Sequence, residues 1–347
     1  MLERVLFLGP RMGKLKKLGG VVILFEDLLS YTESKKIDYD VIDTNLDNYS
    51  NRFIGLINIA LNFISKVHKV SHVSLHGTAR DFSYLAPVAI ILSNIYGKRI
   101  SLRKFGGNFH SIFESSSIFK KSLIKFVLRN GDYVFFETLD LVDKFSGLNS
   151  QTFWWPNSRP KKDSCISERY DKKFVFISQV KVTKGVEDLI QAASKLDSTF
   201  EIDIYGPIID DNLVDRMCEC PNLNYKGTLL PEEVTPTLVN YDILILPTYH
   251  EGEGYPGIIL EAFSLGMPVI STKWNAIPEI VSDCVNGLLV PVRDSDSLVE
   301  AIRFIDQNNF VRFRENAIKS FDRFDSELVN EEFFSIIKLN IKRNERE

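Results

Sequence analysis

The sequence predicts an α/β protein built from two doubly wound, parallel-sheet domains, and three observations carry that reading. Short apolar runs, among them Val5-Leu6-Phe7-Leu8 and Ile243-Leu244-Ile245-Leu246, alternate with helical stretches along the chain. That is the pattern of parallel strands covered on both faces. A chain of 347 residues exceeds one ordinary core. Residues 156–164 hold two prolines and no apolar period, which is linker chemistry between two such series. The boundaries that follow are 1–157, 158–325 and a closing helical segment, 326–347.

Taken in order, residues 4–9 read as the first strand. The loop after it, Gly9-Pro10-Arg11-Met12-Gly13, lacks the G-x-G-x-x-G spacing of a dinucleotide site. Gly19-Gly20 precede a helix over 21–30, where paired glycines let a ligand approach the backbone. Residues 39–43 form a second strand. The apolar positions 53, 54, 56, 57, 60, 61, 63, 64 and 67 predict a helix with a wide apolar face. Strands over 71–75 and 99–103 end in His76-Gly77-Thr78 and Phe105-Gly106-Gly107, with a helix over 87–95 between them. A helix over 117–129 and short strands over 132–136 and 152–155 complete the first domain. Beyond the linker, strands are predicted over 174–178, 200–205, 224–226, 243–246 and 269–271. Helices are predicted over 186–196, 297–305 and 327–342.

Composition narrows the function classes. A net charge of −4 gives no global basic field for nucleic acid. The four cysteines show no C-x-x-C and no histidine spacing suited to zinc, which fits a reduced, cytoplasmic setting. The N-terminus reads as a strand, not a signal peptide. The longest apolar stretch, 53–64, is interrupted by Asn58 and Asn62 and is too short to span a bilayer. At this level a two-domain dehydrogenase and a sugar-binding protein fit equally well.

Residues 247–291 hold the densest chemistry. A glycine-rich loop follows the 243–246 strand and leads into a helix over 257–265. The loop at the C-terminal end of such a strand is where open α/β sheets bind ligands. The helix N-terminus offers unpaired N–H donors and about half a positive charge, made accessible by Gly252, Gly254 and Gly257. Glu253 and Glu261 stand either side of it, placed to accept from sugar and ribose hydroxyls. Glu251 reads as a solvated loop charge.

This stretch closely resembles the E-x7-E region of retaining GT-B glycosyltransferases of glycosyltransferase family four, the glycosyl transferases group 1. The signature here runs from Glu253 to Glu261, followed by Gly266, Pro268, Pro278-Glu279-Ile280-Val281 and Asn286-Gly287-Leu288-Leu289-Val290. Lys184-Gly185, Tyr205-Gly206-Pro207, Gly227-Thr228-Leu229-Leu230, Trp155-Pro156-Asn157-Ser158 and Gly19-Gly20 fit further steps of the family pattern. The resemblance implies a GT-B fold, two Rossmann-like domains facing a cleft, with the C-terminal helix packing back on the first.

The same resemblance implies that a nucleotide-sugar donor is held mainly by the second domain. Lys184 would face the diphosphate and Glu253 the donor sugar, as the catalytic pair, with Glu261 on the ribose. Gly254, Tyr255, Pro256, Gly257 and Ile258 would present backbone N–H groups to the phosphates. Gly20, Gly206 and Leu229 would help to hold the donor. Gln179 occupies a donor-side position where relatives commonly carry Arg, and Lys181 is the nearby cation. In the first domain Phe105 takes the place of a family histidine, leaving His76, Gly106 and Gly107 as acceptor or cleft candidates. His68, His72, His110 and His250 receive no role.

No metal and no cofactor beyond the donor co-substrate are implied. The predicted reaction is retaining sugar transfer to a glycan or lipid-linked glycan in bacterial surface polysaccharide synthesis. The enzyme would be cytoplasmic, with four cations on the 117–129 helix suiting the inner membrane face. A GT-B-like phosphorylase or epimerase, or a non-catalytic nucleotide- or glycan-binding relative, is the competing reading.

Overall fold

The computed structural model describes residues 4–13 and 20–338. The chain divides into two units, residues 1–157 with 326–347, and residues 158–325.

In the first unit, β1 (Arg4–Gly9), β2 (Asp38–Asp43), β3 (His72–Gly77), β4 (Arg99–Lys104), β5 (Tyr133–Phe136) and β6 (Thr152–Trp154) form one sheet in the order β2-β1-β3-β4-β5-β6. Every neighbouring pair is parallel, so each connection must cross a sheet face. The crossings are made by α1 (Gly20–Ser34), α2 (Arg52–Val67), α3 (Ala79–Ile95), α4 (Phe109–Ser115) with α5 (Ile118–Asn130), and α6 (Leu139–Ser146). Alternate strand residues feed two cores. Leu6, Leu75, Leu102 and Phe136 pack with α2, α3 and α5, and Val5, Phe7 and Phe135 pack with α1 on the other side.

The second unit repeats the plan. Its strands are β7 (Lys173–Ile177), β8 (Glu201–Tyr205), β9 (Leu223–Tyr225), β10 (Ile243–Leu246), β11 (Val269–Thr272) and β12 (Gly287–Val290). All are parallel, in the order β12-β11-β10-β7-β8-β9. Its helices are α7 (Val186–Ala193), α8 (Asn212–Cys218), α9 (Pro231–Leu238), α10 (Gly257–Ser264), α11 (Ser295–Phe304) and α12 (Gln307–Phe321). The chain then returns to the first unit as α13 (Ser326–Ile336), where Phe333 stacks on Trp155 at 3.9 Å between ring centroids.

Several sequence expectations are corrected. α3 starts at Ala79, eight residues before Pro87, because Thr78 and Asp81 form a reciprocal capping box that closes its first turn. α4, α6, α8 and α9 span only seven or eight residues, too few to show a period. α12 is long but strongly polar. α7 stops at Ala193, three residues short of the prediction. Gly19 and the end of the 327–342 helix lie outside the described residues.

Candidate functional site

β7 and β10 are hydrogen-bonded neighbours, although β8 and β9 follow β7 in the chain. The strand order therefore reverses between them, and the loops leaving these two strands flank a topological switch point, the usual ligand crevice of an open α/β sheet. The β7 loop carries Gln179, Lys181 and Lys184. The β10 loop carries His250, Glu251, Glu253 and the entry to α10.

Thr183 holds the two loops together. Its carbonyl accepts from Tyr249 N at 2.9 Å and Thr248 Oγ1 at 3.4 Å, and its hydroxyl meets His250 Nδ1 at 3.3 Å. Gly185 makes the approach possible. It sits at φ +79°, and a Cβ there would lie 2.0 Å from the Pro247 carbonyl oxygen. Across this junction the Lys184 ammonium donates to Glu253 Oε2 at 2.5 Å, with the two side chains 13% and 10% exposed. The predicted catalytic pair, 69 residues apart, is thus one ion pair. His250, given no role by sequence, stands beside it; burial first and the Lys184 charge second push its imidazole below the ordinary range.

α10 begins one turn beyond Glu253. Its N-cap is Pro256, with no side chain able to accept from the first helical N–H groups. Tyr255 turns inward: its ring is buried against Phe324 and its hydroxyl donates to Glu279 Oε2 at 2.5 Å. Only its backbone faces the α10 entry, beside buried Gly254 and the half-buried Gly257 and Ile258.

Glu261, one turn into α10, is not free. Arg159 donates from Nε to its Oε1 at 2.6 Å and from Nη1 to the Ser158 carbonyl at 2.9 Å. The Nη2 atom of the same guanidinium lies 2.0 Å from where a Cβ on Gly257 would stand, so a side chain there would push the guanidinium aside. Arg159 is itself fixed by backbone pairing with Phe324 and Asp325. Sequence reading treats Arg159 as linker and misses it. Its one signal, a cation between two prolines, does not specify a partner 102 residues away.

The remaining donor-side candidates follow the strand ends outward. Gly206, at φ +143°, abuts the Ser178 carbonyl next to exposed Gln179, and its N–H donates to Gly227 O at 2.8 Å. That bond seats the loop bearing half-buried Leu229. Leu229, Gly206, Gln179, Lys184 and Glu253 therefore occupy successive loops along one sheet edge.

The first-unit candidates divide. Gly20 is the exposed first residue of α1. Gly106 donates its N–H to Glu137 at 2.8 Å, and the ammonium of buried Lys104 donates to the carbonyls of Phe105 and Gly106. The Gly106-Gly107 turn is thus clamped from beneath, and burial pushes Lys104 down to about 8. His76 requires a correction. Expected at a cleft wall, it is 1% exposed, bonded to Ser74 Oγ at 2.9 Å and enclosed by Phe7, Phe25, Phe105, Trp155 and Phe333. Strand β3 is covered on both faces, which buries the residue at its end. Among the described residues no three His, Cys, Asp or Glu side chains converge as a metal site.

Two parallel α/β units, each with a six-stranded sheet, define the GT-B class of fold. HepE of Anabaena, in complex with UDP, superposes with a TM-score of 0.75 over 96% of this chain and 99% of its own, at 16% identity. Sucrose-phosphate synthase from Thermosynechococcus elongatus superposes with a TM-score of 0.75 over 97% and 98%, at 15% identity.

Within this fold, residues 171–308 match the family model described as Glycosyl transferases group 1, a segment that contains Lys184, Glu253 and Glu261. The chain is 23% identical over 265 residues to the N,N'-diacetylbacillosaminyl-diphospho-undecaprenol alpha-1,3-N-acetylgalactosaminyltransferase of Campylobacter jejuni, covering 74% of this chain and 65% of that protein. It is 31% identical over 186 residues to the putative colanic acid biosynthesis glycosyltransferase WcaL of Escherichia coli, covering 48% of this chain and 45% of that one. It spans 34% of the length of an uncharacterized protein in the cps region of Klebsiella pneumoniae, at 28% identity.

Proposed function

We propose that this protein is a retaining glycosyltransferase that moves a sugar from a nucleoside-diphosphate donor to a glycan or lipid-linked glycan, in the synthesis of a bacterial surface polysaccharide at the cytoplasmic face of the membrane. The observation that carries this reading is the convergence of Lys184 and Glu253 at the switch point of a unit matched by the glycosyl transferases group 1 model. The UDP-bound HepE and the polysaccharide enzymes among the relatives support the donor and acceptor classes.

In this reading the diphosphate lies at the α10 entry, where helix N–H groups and the Lys184 ammonium stabilise its departing charge without a metal or other cofactor. Gly254 to Ile258 present the backbone. Glu261 accepts from the ribose hydroxyls and Glu253 from the sugar. The bond from the anomeric carbon to the phosphate oxygen breaks with its electron pair leaving on the diphosphate. The acceptor oxygen bonds to the same face, and its proton passes to the leaving phosphate. Isothermal titration against UDP-, GDP- and ADP-sugars tests the donor class, and a chain that binds none of them is not a transferase of this kind. The anomeric configuration of the product, read by NMR, tests retention.

A further inference from the structure

The large apolar side chains left in solvent are concentrated on three helices of the first unit. On α2, Phe53, Ile54, Leu56, Ile57, Leu61 and Ile64 are exposed; on α3, Tyr84, Val88, Ile91 and Ile95; on α5, Ile118, Phe119 and Phe126. Ile118 is 86% exposed and Phe119 79%. Packing on the sheet does not account for them. α2 already presents Ile59, Phe63 and Val67 to the core, four residues apart, and α5 presents Ile124, Val127 and Leu128. The α3 residues 84, 88, 91 and 95 form a stripe along one helical face, a second apolar face on a helix whose first is buried. Between α2 and α3 lies an apolar groove of about 610 Å³, lined by Leu56, Ile59, Phe63, Leu85, Val88 and Leu92. Contiguous exposed apolar surface on this scale marks an interaction site.

Charge identifies the occupant. α2 and α5 hold no acidic residue, and α5 holds Lys120, Lys121, Lys125 and Arg129. On α3 the acid is Asp81, occupied in its capping box. This cationic excess stands on a chain whose net charge is −4. A second copy docking through the same patch about a twofold axis would set these cations against themselves. An anionic bilayer is complementary to both the charge and the apolar ridge. No helix among the described residues is long and apolar enough to cross a membrane, so such a contact is interfacial.

We propose that the α2–α3–α5 face of the first unit docks on an anionic phospholipid bilayer, with the α5 cations at the headgroups, Phe53, Ile95 and Phe119 in the interface, and the α2–α3 groove open to hydrocarbon. This gives the membrane location in the proposed function its surface, and its test uses no sugar donor, so either reading can fail alone.

The test is co-sedimentation of the full chain with phosphatidylcholine vesicles with and without phosphatidylglycerol, alongside calorimetric UDP binding. Binding should require phosphatidylglycerol and fall with added salt. Phe119→Glu should lower vesicle partitioning about tenfold. Lys120→Ala with Lys125→Ala should lower it by a further factor of about 25, about fivefold for each lysine. Phe119 and Lys125 are exposed and Lys120 is half-buried, so the melting temperature should change little. Absence of vesicle binding, equal binding to neutral vesicles, or wild-type partitioning by Phe119→Glu would each overturn the proposal. Self-association in solution that Phe119→Glu abolishes, without vesicle binding, would assign the face to a second copy instead.

Discussion

Arg159 donates to Glu261 at 2.6 Å, tying a residue just past the domain junction to the helix that bears the second glutamate of the signature. Both side chains are largely buried, 12% and 21% exposed, so removal of either strands a charge. Arg159→Ala should therefore lower the unfolding free energy by about 2 kcal/mol in urea titrations, below the range for fully buried pairs. Glu261→Ala should carry a similar cost and weaken UDP affinity about tenfold by calorimetry.

The Lys184–Glu253 pair separates catalysis from simple binding. If the ammonium stabilises the leaving diphosphate, Lys184→Ala should reduce kcat by at least about a hundredfold with a smaller change in KM. Because the two side chains touch at 2.5 Å, the double variant Lys184→Ala, Glu253→Ala should fall short of the summed single effects by about 1–3 kcal/mol in a stability cycle. Strict additivity would mean that the pair is not formed in solution.

Two histidines predict an acid-sensitive stability. His72 and His76 are buried; burial, followed by the charges of Arg99 and Arg103 respectively, pushes His72 down to about 3 and His76 well below its ordinary value. Unfolded, each takes up a proton near pH ~6.5. Below that pH the unfolded chain binds protons that the folded chain refuses, so stability falls as pH falls. The slope is about 1.4 kcal/mol per pH unit for each histidine. His72→Asn and His76→Gln should each flatten the decline between about pH 6.5 and 5, measured by urea unfolding.

Gly185→Ala tests the junction of the β7 and β10 loops. The positive φ and the Pro247 carbonyl, 2.0 Å from the added carbon, together predict a loss of about 3 kcal/mol. Because the same junction positions Lys184, activity should fall well below what the surviving folded fraction would give.

The strands were legible because a parallel strand covered on both faces is an uninterrupted apolar run, as in Ile243–Leu246. Glycine-rich turns likewise marked the loops at their ends. Partnership was not legible. Pattern names Lys184, Glu253 and Glu261, but neither the 2.5 Å contact of the first two nor the presence of Arg159 follows from spacing, because both depend on how distant loops are brought together. His76 was misread because a polar residue at a strand end looks solvent-facing until α1 and α13 cover that side of the sheet. On α2 the opposite error operates: a wide apolar face is predicted, yet Phe63, Val67 and Ile59, a position outside the predicted set, supply its core contact, while Phe53, Ile54, Leu56, Ile57, Leu61 and Ile64 meet solvent.

The C-terminal return of the chain inverts the order of assembly. Val329, Phe333, Phe334 and Ile337 complete the core that Phe7, Phe25 and Trp155 begin, and they are synthesised only after the whole of the second unit. The second unit, continuous from 158 to 325, has all its strands available while the ribosome is still translating. The first unit, though it leaves the ribosome earliest, must wait with one face of its sheet covered by α1 alone. During synthesis the second unit can mature before the unit that precedes it in the sequence, and a chain truncated before α13 would damage the beginning of the protein, not its end.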